Sequence, residues 1–233
     1  MWRTTATIGL APTSPPDRLI QRLLPWLLLI VAAVAVAEPR TYAGHDDALR
    51  AVDSADPDQR VEAIKWIASH GTQDDTRVLQ QHLTDDSSDV REVAEAALWE
   101  LWSRSGDDEI DALLARGVEQ MRNGELDASI ATFSSIIDRR PDFAEGWNKR
   151  ATALFLAGEL RRSLADCGEV IKRNPVHFGA LAGYGQIYFQ LEQYTKSVEY
   201  WKRAIRVNPN MENVEMSLKS VEKLLEERRR QAI

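Results

Sequence analysis

Only one cysteine, Cys167, occurs in the 233 residues, so no internal disulfide can form and no cysteine-based metal cluster can be assembled. The four histidines, His45, His70, His82 and His177, never fall at a metal-ligand spacing such as H-E-x-x-H. No G-x-S-x-G nucleophile signature and no P-loop is present. Gly183-Tyr184-Gly185 falls inside a helical pattern, so its glycines read as packing rather than as a phosphate cradle. Alternating β-branched runs are scarce, which argues against a sheet. Basic residues do not gather into a stripe, which excludes a nucleic-acid surface. No catalytic residue, metal or cofactor is therefore expected, and the chain reads as a non-enzyme.

What is present is helical. Apolar residues recur at 3.6-residue spacing, and the composition, 44% hydrophobic and 28% charged, is that of a globular all-α chain. The net charge of −7 is unevenly spread. Residues 38–108 carry 17 acidic and 7 basic side chains, against 18 and 19 over residues 109–233. The first arm is a strongly solvated acidic surface, and the second is nearly neutral.

Residues 1–37 have the layout of a secretory signal peptide: Arg3, Arg18 and Arg22, the apolar run Leu23 to Ala37, and an Ala35-Val36-Ala37 cleavage site. The run is shorter than the ~20 residues of a bilayer-spanning helix. The alternative is an uncleaved N-terminal anchor in the inner membrane, the one membrane contact expected. Either way the chain is expected to be exported, to the periplasm of a Gram-negative cell. A connector at 38–45 follows.

Pro141, Pro175 and Pro209 stand 34 residues apart, and the segments between them superimpose. Gly124 matches Gly158. Ser129, Ser163 and Ser197 match one another, as do Phe133, Cys167 and Trp201, and Gly117, Ala151 and Gly185. Within one unit Trp147, Ala151 and Leu154 form an apolar stripe, Gly158 stops the helix, and Leu164, Cys167, Val170 and Ile171 form the next stripe before Asn174-Pro175. A fixed period with this pattern means stacked helical hairpins. The stretch 107–209 resembles the tetratricopeptide repeat (TPR) family, with three repeats in phase. Val214, Leu218, Val221 and Leu225 then mark 210–233 as an amphipathic capping helix.

Upstream, Asp58, Arg60, Ala63 and Ile67 coincide with Asp89, Arg91, Ala94 and Leu98 at a spacing of 31. This pattern over 46–106 resembles short HEAT repeats, whose arginines are expected to pair with a neighbouring aspartate. Trp99 and Trp102 share one helix face and are expected to plug the joint with the first helix of the 34-residue repeats. The fold expected is a right-handed α-solenoid, HEAT-like hairpins continuing into three TPR hairpins and the capping helix. The Leu101-Trp102-Ser103-Arg104-Ser105-Gly106 segment is similar to one in small exported proteobacterial TPR proteins, a resemblance that names no partner.

The TPR resemblance implies a concave groove lined by the first helix of each repeat. By register its residues are Leu114, Val118, Met121 and Arg122; then Asn148, Lys149, Thr152, Phe155 and Leu156; then Ala182, Gln186, Phe189 and Gln190. The carboxylate-clamp subset of the family needs a lysine and an asparagine where this chain has Leu114 and Val118, and basic residues where it has Gly179 and Gly183, so capture of a chaperone's C-terminal carboxylate is disfavoured. Met121, Phe155 and Phe189 are the apolar anchors, and Asn148, Lys149 and Gln186 the groups expected to bond a ligand backbone. The chain reads as an adaptor for a protein or peptide partner. The alternative is a self-assembling envelope scaffold, a homo-oligomer in which one groove takes another chain's end helix.

Overall fold

The structure, a computed structural model, describes residues 42–231; the signal peptide expected over residues 1–37 lies outside them. Eleven α-helices, and no strand, occur among the described residues. Four belong to the N-terminal arm: α1 (His45–Ala51), α2 (Pro57–His70), α3 (Thr76–Gln81) and α4 (Ser88–Trp102). Asp56 starts α2 by accepting from the Asp58 N–H at 3.0 Å, with Pro57 in the first turn. α3 is short, flanked by 3-10 turns at Gln73–Asp75 and His82–Thr84.

Arg60 and Arg91, which stand 31 residues apart, are hydrogen-bonded alike in part. Arg60 donates to both carboxylate oxygens of Asp85, at 2.8 and 2.7 Å, and to the Ser54 and Ala55 carbonyls. Arg91 donates to the Asp85 and Asp86 carbonyls in the same way. Its Nε, however, reaches Asn210 Oδ1 at 3.1 Å, where Arg60 has its aspartate.

Three hairpins follow: α5 (Asp108–Arg122) with α6 (Leu126–Arg139), α7 (Ala144–Leu156) with α8 (Leu160–Arg173), and α9 (Phe178–Gln190) with α10 (Tyr194–Val207). The last helix, α11 (Glu212–Gln231), lays Leu218 and Val221 against Trp201 and so covers the third hairpin. Gly124 and Gly158 turn the first two hairpins at φ +79° and +78°. The third uses Glu192 at the equivalent place, at φ +56°.

Each hairpin crosses where a small residue meets a large one. A Cβ on Gly117 would lie 2.8 Å from Cζ of Phe133, and one on Gly185 would lie 2.7 Å from Cγ of Trp201. The middle hairpin has a small thiol, Cys167, at the second position and accordingly tolerates Ala151 at the first; both are buried. Buried Ser163 and Ser197 bond across the same crossings, to the Ala151 and Gly185 carbonyls at 2.7 and 2.8 Å.

Trp102 is buried and Trp99 half-buried, but not where the sequence placed them. They meet the start of α9. Trp102 stacks on His177 with ring centroids 4.4 Å apart, and Trp99 stands edge-on to Phe178 at 5.1 Å. Gly179 leaves room for the Trp99 indole, whose Cζ2 would lie 3.0 Å from an added Cβ. Phe178, Val207 and Met211 thereby join the core of α1–α4. Asn208 donates to Glu95 at 2.9 Å, and Asn210 donates to the Leu83 carbonyl at 2.9 Å. The N-terminal arm thus packs on the α9 start and the α10–α11 turn.

Candidate functional site

Two cavities lie on either side of α9. One, of about 140 Å³, is walled by α7 and α9 with α8 behind; its lining includes Ala151, Thr152, Phe155, Gly179, Gly183 and Ile187. The other, of about 450 Å³, lies between α9 and α11 and is lined by Phe189, Trp201, Asn213, Met216, Ser217 and Val221 among others. Gln186 lines both, and the two together are called the trough. No charged side chain lines either cavity. Phe189 and Met216 are exposed at its mouth despite their size, at 38% and 59%.

The residues expected by register divide by repeat. Asn148, Thr152, Phe155, Gln186 and Phe189 line the trough. Leu114 does not belong with them: it is buried with Ile110, Phe133 and Leu154, and Val118 and Met121 pack against the same cluster. Arg122 is exposed beside Glu119, at 3.9 Å. Leu156 and Gln190 are exposed near the ends of their helices, and neither cavity is lined by them or by Ala182, whose carbonyl accepts from the Trp201 indole at 3.2 Å. The α11 residues were not anticipated, because the end helix reads from its stripe as a cap alone.

Asn148 and Lys149 are already engaged, which corrects their expected role as backbone ligands. Both bond Glu145, a fully buried carboxylate: Asn148 Nδ2 at 3.1 Å to each oxygen and Lys149 Nζ at 2.9 Å. His177 completes the cluster. Its Nδ1 accepts from the Ala180 N–H at 3.2 Å, so the proton sits on Nε2, which donates to Glu145 at 3.0 Å. Burial pushes the Glu145 pKa up, but His177 and Lys149 together outweigh it and hold the carboxyl below its ordinary range. Lys149 also lies over the Trp99 ring, 5.7 Å from its centroid. This cluster closes the α4 end of the trough and is structural. His177 thus satisfies a backbone N–H of α9 and also anchors Glu145.

Gln186 is different: its side-chain amide has no hydrogen-bond partner among the described residues and faces the trough. Cys167 lines the smaller cavity, but burial, then Asp166, pushes its thiol up to about 12, so it is no nucleophile at neutral pH. No cluster of three or more His, Cys, Asp or Glu that could hold a metal occurs among the described residues. No helix among them is long and apolar enough to cross a membrane.

Residues 114–167 and 178–211 each match the tetratricopeptide repeat family. The chain contains tetratricopeptide repeats. A TPR repeat-containing protein of Rhizobium etli is 32% identical over 111 residues, covering 46% of this chain and 53% of the relative. Tetratricopeptide repeat protein 12 of mouse is 25% identical over 101 residues, 43% of this chain and 14% of that protein. The chain therefore spans about half the length of the rhizobial relative and far less of the murine one. Among solved structures, the TPR domain of Sgt2 from Aspergillus fumigatus superimposes with a TM-score of 0.51 at 20% identity, over 55% of this chain and 85% of that domain. That likeness is one of fold. The tetratricopeptide match includes α7 and α9, the two helices that flank the smaller cavity, whereas α11 and the N-terminal arm lie outside it.

Proposed function

We propose that this protein is an exported, non-enzymatic adaptor that holds a protein or peptide segment in the trough between α7, α9 and α11. The observation that carries the reading is the trough itself: two cavities that share Gln186, without a charged lining residue, and large apolar side chains left exposed at their mouth. Tetratricopeptide hairpins serve as interaction scaffolds, which supports the same conclusion. The N-terminal arm, read as HEAT-like, acts as a fixed wall, since its Trp99 and Trp102 are committed to α9. Export, to the periplasm of a Gram-negative cell, rests on the sequence of residues 1–37.

The test uses the paired substitutions Phe189→Gln and Met216→Gln, both at exposed positions. Affinity capture from an envelope extract is run with parent and variant, after circular dichroism confirms equal helicity. A partner that is lost with the variant, and that binds the parent again when purified, supports the trough. Equal capture by both sinks it and moves attention to the acidic N-terminal arm. Recovery of the protein's own chain alone, with a mass that grows with concentration, favours the self-assembling scaffold instead.

A further inference from the structure

Gly183 has no packing reason to be glycine. Gly185, two residues on, is pressed against Trp201, and Gly179 against Trp99. A Cβ on Gly183 would meet only Cys167 Sγ, at an ordinary 3.8 Å. The equivalent positions of the two preceding repeats hold Lys149 and Ala115, so the repeat does not demand glycine there. Glycine inside a helix is destabilising relative to alanine. What the missing side chain does provide is depth: Gly183 lines the 140 Å³ cavity, and Ala151 and Ala180 keep its walls low.

The size and polarity of that cavity define what fills it. An apolar cavity of roughly 150 Å³ accepts a benzene ring. Phe155, Ile187 and the two alanines supply apolar wall, Asn148, Thr152, Ser163 and Gln186 add uncharged polar groups, and no lining group is charged. At the rim, the Gln186 amide is free to bond a passing main chain. Resting on the trough reading above, we infer that this cavity is an anchoring subsite for one phenylalanine-sized aromatic side chain of an uncharged peptide segment. The segment's main chain passes Gln186 toward Phe189 and Met216.

The test fills the cavity from within. Gly183→Leu places an isobutyl group where the ligand ring would lie, and Gly183→Ala serves as the mild control. N-acetyl-phenylalaninamide is titrated into isotope-labelled protein and followed by amide NMR, beside N-acetyl-glycinamide and the negatively charged N-acetyl-aspartamide. The expected result is saturable shifts at Gly179, Gly183 and Gln186 with the aromatic amide only. Gly183→Leu should weaken them at least tenfold while its melting temperature stays at or above the parent's. No saturable shift in the parent, equal binding by Gly183→Leu, or equal binding of the aspartyl amide overturns the subsite. A peptide-library selection separates the two readings. Peptides that bind the parent and are lost with Phe189→Gln, yet lack an aromatic preference, discard the subsite and keep the trough. Peptides with an aromatic preference that Gly183→Leu abolishes support both. No selected peptide at all discards both.

Discussion

Two glycines on one helix should respond to the same substitution in opposite directions. Gly183→Ala and Gly185→Ala both replace a helix-interior glycine of α9, and each gains about 1 kcal/mol from helix propensity. At position 183 nothing opposes the gain, since the added methyl finds ordinary contact distance to Cys167. At 185 the methyl would stand 2.7 Å from Cγ of Trp201, with other indole atoms nearer still. The indole cannot swing away cheaply. Trp201 is 2% exposed, its Nε1 donates to the Ala182 carbonyl, and Leu218 and Val221 of α11 cover it. Forcing a methyl into such a site costs about 1–3 kcal/mol, occasionally more. With the propensity gain deducted, Gly185→Ala should lose about 0–2 kcal/mol, so the two variants should differ by about 1–3 kcal/mol. Equilibrium denaturation followed by circular dichroism at fixed slope reads this as a difference in midpoint. A cycle with Trp201→Cys sharpens it, because Ala151 and Cys167 already form that pair in the middle hairpin. In the Trp201→Cys background, Gly185→Ala should become neutral or stabilising. Equal stability of Gly183→Ala and Gly185→Ala, or an unchanged penalty in the cysteine background, would refute the account of the helix crossing.

Glu192→Gly should stabilise the protein by about 0.5–1 kcal/mol, because it removes left-handed strain that exceeds the entropy glycine adds to the unfolded chain; a lower melting temperature would contradict this. Glu145→Gln should cost about 1.5–3 kcal/mol at pH 7, the worth of charged hydrogen bonds. The Glu145 pKa is depressed in the folded protein, so its contribution is complete above the ordinary carboxylate range and lost as pH falls through the lower folded value. The stability gap between parent and Glu145→Gln should accordingly close in acid and not in alkali, in melts run across pH. Cys167 should resist alkylation at pH 8 in the folded state and react on unfolding, read by mass spectrometry with and without urea. Arg91→Ala should cost about 2 kcal/mol and raise hydrogen exchange in α4 and the start of α11 more than in α6, since it breaks the Asn210 link.

The hairpins were legible because their signals are local. Proline spacing, the turn glycines and the pairing of small with large residues at 117 and 133, 151 and 167, and 185 and 201 each act within one unit of chain. The trough was legible only in part. A register carried from repeat to repeat treats all first helices alike, but Leu114 is held in a core of Phe133 and Leu154, so the first repeat adds nothing to the lining. Asn148 and Lys149 were misjudged for another reason. Their polar ends looked free until His177, 32 residues beyond Glu145, brought its imidazole to the same carboxylate. Gly183 was visible in the sequence, but nothing local separates it from Gly185; only the distances to Cys167 and Trp201 do.

The same distinction explains why the N-terminal arm docks where it does. Arg91 needs an acceptor where Arg60 has Asp85, and a further repeat of the same kind would have supplied one. Instead the chain enters α5, and the acceptor comes from Asn210, in the turn after the last tetratricopeptide hairpin. Trp99 and Trp102 face the same way, onto His177 and Phe178. The arginine and the two tryptophans are recognisable in sequence as groups that want burial or a partner, but their partners lie 75 to 119 residues away. An array whose units bind only their neighbours would leave both ends exposed. Here the end of the N-terminal arm rests on the middle and end of the tetratricopeptide stack. It is held by Asn208, Asn210, the α9 start and the Glu145 cluster. The relative positions of α7, α9 and α11 are thereby constrained from outside the hairpins themselves. A trough shaped by those three helices is pre-organised, so a ligand entering it does not have to order the solenoid first.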